Sequence, residues 1–361
     1  MSLLLSCAGA CLLVAANAPA PVAVEAVEPE TVGEIVVLGR RSAPRDLTLG
    51  AGAITEAMSP SSRSIENDLI KAVGATRLAD ALELVSGVSQ QNNRGGVMDN
   101  FAIRGFLGTP DGGAEYYVDG FLANRGMAPP RDPATSERIE VLKGGESLFY
   151  GTQAVAGAVN VVTKSFADTK NGQVQGGFDT NKGGHANAFV RGARGENKVV
   201  LYGSKDQADG YKLFPESQYQ ASNTDRRRSY DVTTVGGKYA YDFNTKTRLS
   251  AGYQLTDAQL DNLRPGRSGA THVGGLAEGY NARTEHLLNA KVDYTPTSTT
   301  QLFFKTYYHQ WDSHFTEVRN VIAAPGTTRV SSNADFWGYK DYGANLLAKF
   351  APGKSVEYFA G

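Results

Sequence analysis

Residues 137–164, ERIEVLKGGESLFYGTQAVAGAVNVVTK, contain two strand-like runs separated by a bend rich in glycine and alanine. Ile139 and Val141 alternate with Arg138 and Glu140, the period of two of a strand with one covered face. Gly144-Gly145 breaks the run, the chain turns through SLFYG, and AVNVVTK resumes it. So many small residues suit a backbone packed closely on its surroundings, and charges beside apolar strands need partners from a neighbouring surface. The rest of the chain shows what that surface is.

The 361 residues carry a net charge of −1, so no global field points to nucleic acid. Glycine is abundant at 41 residues, with 17 tyrosines and 15 phenylalanines, a composition of turn-rich β structure. Both cysteines, Cys7 and Cys11, fall in the opening stretch MSLLLSCAGACLLVAANA. That stretch predicts a signal peptide over 1–26, with Ala-x-Ala-like cleavage options at Ala16/Ala18 or Val24/Ala26, although a positive n-region is missing. A lipobox at Cys7 or Cys11 is the alternative reading. No later window holds 18 consecutive apolar residues, which excludes a membrane helix but not a β-barrel.

Residues 27–44 read as a tether, rich in Pro, Val and Glu, containing one isolated β-prone run, EIVVLG at 34–39. Residues 45–164 suit a compact α+β domain, although 45–75 shows no clear pattern. TRLADALELVSG is the one clear helix, with Thr76 as N-cap, Leu78, Leu82 and Val85 on one face, and Gly87 as stop. Short strands follow at FAIRGF (101–106) and AEYYVDGF (114–121).

Beyond Lys164, about nine period-2 runs succeed one another over 172–361. Leu288, Ala290, Val292 and Tyr294 alternate with Asn289, Lys291 and Asp293. Short connections such as ARGE, PTS and APG alternate with connections of about 25 residues, the last predicted between 312 and 338. Short turns on one side and long loops on the other are the arrangement of an outer-membrane barrel, and a globular domain before it predicts a plugged barrel.

These motifs resemble the TonB-dependent outer-membrane receptors, of the ferric-siderophore type. ERIEVLKGGESLFYG with GAVNVVTK is similar to the family's plug signature, IRGF and YYVDGF to two preceding plug elements, LADALELVSGV to the opening plug helix, and EIVVLG to the TonB box. Gly145 stands where proline is usual, and AVAGAV replaces the usual Pro-Gly-Gly. The resemblance implies an α+β plug followed by an antiparallel transmembrane β-barrel, of 22 strands in the intact family. Because an open sheet of about nine strands would leave edges unpaired in lipid, an N-terminal part of a longer receptor is expected, with the incomplete barrel over 165–361.

The resemblance also implies the sites. Glu34, Ile35, Val36, Val37 and Leu38 would add as a strand to a TonB-type periplasmic energy transducer, unless they form an ordinary plug edge. Asn93, Arg94, Arg125 and Met127 fall in apical loops that would meet an oxygen-rich, anionic ferric siderophore; solvated loop residues are the alternative. Tyr211, Tyr219 and Tyr280 in outer loops could join them. Arg104 and Lys143 match basic positions that pair with wall glutamates, so both are expected to be buried as plug–barrel locking groups. The run Arg226-Arg227-Arg228 suits lipopolysaccharide phosphates or plain solvation. No catalytic set, metal-ligand spacing or covalent cofactor is indicated, and iron is expected only inside a siderophore ligand. The implied function is energy-coupled import in the Gram-negative outer membrane, among its lipid and lipopolysaccharide. Cobalamin, haem or saccharide are alternative solutes, and a passive porin is the alternative mechanism.

Overall fold

A computed structural model describes residues 63–91, 100–107, 114–125, 133–143, 156–180, 182–210, 212, 214–219, 229–261, 264–265, 270, 276–323, 326–352 and 358–361. The chain divides into two units, 1–40 and 41–361, and every described residue belongs to the second. The expected signal peptide and tether lie outside the described residues.

The first domain contains β1 (Arg63–Glu66), α1 (Asn67–Ala72), α2 (Leu78–Leu82), β2 (Val88–Gln91), β3 (Asn100–Ile103), β4 (Phe106–Leu107), β5 (Ala114–Val118), β6 (Phe121–Arg125), β7 (Ser136–Lys143) and β8 (Gly157–Thr163). The two strands of 137–164 are antiparallel neighbours, Ile139 opposite Val161 and Val141 opposite Val159, at the centre of a five-stranded sheet ordered β1-β7-β8-β5-β6. β2, β3 and β4 form a second, three-stranded sheet. On one face of the larger sheet, Ile139, Val141, Val159 and Val161 pack with Ile70 of α1, Leu78 and Leu82 of α2 and Phe101 of β3. Each such side chain contributes roughly 1.5–3 kcal/mol on burial.

α2 covers five residues, shorter than the predicted run, and begins one residue later. Arg77 occupies the N-cap, and the Thr76 and Arg77 N–H groups both donate to the Asp80 carboxylate, at 3.3 and 3.0 Å. A carboxylate reaching back from inside the first turn thus satisfies the N–H of the N-cap residue and of the residue before it, the acidic half of a capping box. Leu78, Leu82 and Val85 are buried as expected, and Gly87 ends the segment at φ 79°. β1 and α1 lie where the sequence showed no pattern, because RSIE and NDLIKA each bury a single side chain, Ile65 and Ile70.

The second domain is an antiparallel transmembrane β-barrel wall. Its strands are β9 (Asn171–Phe178), β10 (Gly184–Arg194), β11 (Asn197–Ala208), β12 (Tyr230–Asp242), β13 (Thr247–Asp261), β14 (Arg264–Pro265), β15 (Leu276–Thr297), β16 (Thr300–Ala323), β17 (Gly326–Phe350) and β18 (Tyr358–Ala360). Nine run side by side in sequence order, and β14 pairs with β15 off that path. The polarity is the reverse of a soluble sandwich. Along β15, Asn289, Lys291 and Asp293 are buried inward, Lys291 at 1% exposure, while Leu288 at 49% and Tyr294 face outward. Tyr253, Phe304 and Tyr308 continue the outward apolar surface that lipid requires. No helix among the described residues is long and apolar enough to cross a membrane.

The connection expected between 312 and 338 is corrected. β16 and β17 pair from Thr300–Phe350 to Ala323–Gly326, with one register shift at Ser313/His314, so these residues extend a hairpin. A 24-residue strand reaches about 80 Å, far beyond a hydrocarbon core of about 30 Å. Strand beyond the hydrocarbon needs no outward apolar face, so the alternation that marks a spanning strand disappears.

Candidate functional site: the plug–wall interface

The face of the plug sheet opposite its core meets the wall. Tyr117, Leu122, Leu142 and Ala158 cluster with Tyr307 of β16, and Leu287 of β15 joins the plug core. The small side chain of Ala158 admits this approach, while Gly157 lets β8 close on the Leu142 backbone of β7 within the plug.

The β5–β6 turn makes the polar contact. Asp119 and Gly120 both have positive φ, 51° and 78°, the two-residue hairpin conformation for which Asp-Gly is a preferred pair. The Asp119 N–H donates to Val161 O at 3.0 Å, and the Gly120 N–H to Asn160 Oδ1 at 2.9 Å. The Asp119 carboxylate accepts from the Thr163 N–H at 2.9 Å and the Thr163 hydroxyl at 2.6 Å. Asn160 donates in turn to Glu140, which pairs with Arg138 at 2.7 Å. The wall adds two cations: Lys238 Nζ of β12 lies 3.5 Å from Asp119 Oδ2, and Lys305 Nζ of β16 donates to Gly120 O at 3.1 Å.

A second group of contacts marks the passage from plug to wall. Arg191 of β10 pairs with Glu137 of β7 at 3.1 Å and donates to Ser165 O at 3.0 Å, while Lys71 donates to Gln173 of β9. Lys164 is buried with its ammonium 4.9 Å from the centre of the Phe189 ring. Burial is the main cause pulling its pKa down to about 8, opposed by the Glu137 carboxylate and aided by Lys71 and Arg191. Further into the barrel the wall matches its own charges: Glu285 meets Arg283 at 3.5 Å and His309 at 2.9 Å, and Lys291 meets Asp293 at 2.7 Å.

The expected burial of Arg104 and Lys143 is corrected. Arg104 is exposed at φ 52°, forming with Gly105 a turn of the same kind as Asp119-Gly120, and its N–H donates to Gly87 O at 2.8 Å. Lys143 is half-buried and donates to the Ser86 carbonyl; burial first, then Arg63 and Arg104, lower its pKa. The IRGF and VDGF motifs are therefore in part hairpin-turn chemistry. Arg125 ends β6 opposite Glu115. Tyr280 lies within β15 and not in a loop, and Tyr219 is buried against Phe214. Glu34, Ile35, Val36, Val37, Leu38, Asn93, Arg94, Met127, Tyr211 and the Arg226-Arg228 run lie outside the described residues. Lys238 and Lys305 escaped sequence reasoning. Their signal is a lysine at an inward position of a spanning strand, which has to find a partner.

Residues 55–158 match the model of the TonB-dependent Receptor Plug Domain. The vitamin B12 transporter BtuB of Vibrio vulnificus is 28% identical over 201 residues, 54% of this chain and 32% of that protein. The metal-pseudopaline receptor CntO of Pseudomonas aeruginosa is 39% identical over 111 residues, 31% of this chain and 14% of that protein. In the crystal structure of the siderophore receptor PiuA from Acinetobacter baumannii the same fold covers 81% of this chain and 43% of that one, with a TM-score of 0.58 at 16% identity. The match thus spans a third or less of these two curated relatives. A plug-family domain seated against a polar-lined, lipid-faced β wall places this chain in the TonB-dependent outer-membrane receptors of Gram-negative bacteria.

Proposed function

We propose that the receptor to which this chain belongs imports a ferric siderophore across the outer membrane at the expense of energy delivered from the periplasm. The observation that carries this reading is the seating of the plug on the wall, through Leu142 and Tyr307 and through Lys305 and Gly120. A solute can pass only if the plug rearranges, and Glu34–Leu38 is the handle, adding as a strand to a TonB-type transducer. The relatives support a metal chelate: CntO is described as a metal-pseudopaline receptor, and Fiu of Escherichia coli, 30% identical over 140 residues, as a catecholate siderophore receptor. The likeness to BtuB favours cobalamin as the second reading. The reading is transport and not catalysis, and a passive porin is disfavoured by the plug.

Titration of the full-length receptor with catecholate, hydroxamate and pseudopaline-type ferric chelates and with cobalamin, followed by tryptophan quenching, tests it. Saturable binding of a ferric chelate is the expected result; binding of cobalamin alone would overturn it. In the same assay the Arg94→Ala, Arg125→Ala pair should weaken affinity about tenfold, equivalent to about 1.4 kcal/mol. Unchanged affinity would move the ligand site away from these loops.

A further inference from the structure

We infer that Lys238 and Lys305 form a latch on the Asp119-Gly120 turn that holds the plug closed and releases it without unfolding the turn, an inference that rests on the gated-import reading. The plug satisfies this turn by itself. Both carboxylate oxygens of Asp119 are held by Thr163, and the Asp119 and Gly120 N–H groups by Val161 O and Asn160 Oδ1. Among the described residues, Lys238 and Lys305 reach it from the wall, from β12 and β16, with β13 and β15 between them. One turn therefore holds two strands and spans the two between them.

The two wall contacts differ from the plug's own. Lys238 is buried with its ammonium 3.5 Å from Asp119, longer than the 2.7–2.9 Å of a strong charge-assisted bond. Each ammonium also lies near an aromatic ring, Lys238 5.5 Å from the centre of Phe166 and Lys305 5.5 Å from that of Phe121. Such a pair keeps two cations dry while the plug is seated. Removing one partner of a buried ion pair leaves the other charge uncompensated, so the seated plug needs Lys238 beside Asp119, whereas water entering the lumen hydrates both partners together and offsets their separation. The turn then leaves as a rigid unit, and the cations are hydrated where they stand. Lys238 and Lys305 are thus positioning residues for the plug, not ligand contacts.

The test uses the full-length receptor in planar bilayers and in cells. Lys238→Met with Lys305→Met should raise ligand-free conductance about tenfold, as expected for a shift in the closed–open population, while outer-side ligand affinity is unchanged. Lys238→Arg with Lys305→Arg should restore closure, which a general packing defect would not allow. Heat-modifiable migration on a gel establishes that the barrel is folded; if the double variant does not fold, Lys305→Met alone is measured in the same way. Wild-type conductance in a folded methionine variant overturns the latch. A receptor that imports none of the tested chelates but leaks in the double variant would refute the import reading and support the latch. An importer whose double variant stays closed would refute the latch alone.

Discussion

Replacing Gly157 with alanine is expected to stop the plug sheet from closing, leaving an inserted wall with a protease-sensitive plug and no ligand binding. Gly157 opens β8 between β7 and β5, opposite Lys143 and Ala114, at φ 147°. A Cβ added there would overlap Leu142 O and lie 3.1 Å from Leu142 C and 3.4 Å from Ile103 Cδ1. The nearest two atoms are strand backbone, which cannot yield without opening the β7–β8 pairing that the plug core rests on. A cost above about 4 kcal/mol follows from clash and conformational strain together. Gly105→Ala is the control: φ there is 83°, but no atom lies within 4 Å of the added methyl, so only the backbone term of about 1–2 kcal/mol applies. Limited proteolysis of both variants in the intact receptor checks this. Wild-type protease resistance of Gly157→Ala would mean that the bend between β7 and β8 absorbs the displacement, and the packing account would fall.

The second large effect is expected at the coupling segment. Val36→Pro should abolish uptake while leaving outer-side ligand binding intact, and Ile35→Ala should be tolerated. Strand addition recruits main-chain groups, so proline, which removes an N–H and fixes φ, is far more damaging than loss of one apolar side chain. Residues 19–39 have little apolar surface to bury, which suits a segment that orders on its partner. Transport assays with labelled chelate in cells, paired with binding to whole cells, separate the two steps. Normal uptake by the proline variant would show that EIVVLG is not the handle.

Much of the wall could be read from the chain because its environment alternates residue by residue. Asn289, Lys291 and Asp293 face inward and Leu288 and Tyr294 face lipid, and that alternation is written directly into the sequence. Nine such runs were expected, and nine strands lie side by side. The same logic fails at 313–337, where the β16–β17 pairing runs on past the length that lipid requires and period 2 carries no hydrophobic signal. It also fails at β1 and α1, whose short segments are held by one buried side chain each.

By itself, the sequence determined the family, the two strands within 137–164 and the alternation of the wall, because each depends on a local motif or period; the runs 101–106 and 114–121 read as strands, whereas the structure breaks each at a turn, Arg104-Gly105 and Asp119-Gly120. The tertiary structure decided which charges meet. Arg104 matches a basic family motif, yet its backbone is claimed by a turn and its side chain is exposed. Gly120 and Lys305 stand 185 residues apart, and no local pattern in either names the other. Their contact depends on how deeply the plug is seated and on the register of β12 and β16. The seating follows from the packing of Leu142, Tyr117 and Leu122 on Tyr307 and the register from the pairing of the wall strands, properties of surfaces brought together and not of either stretch of chain.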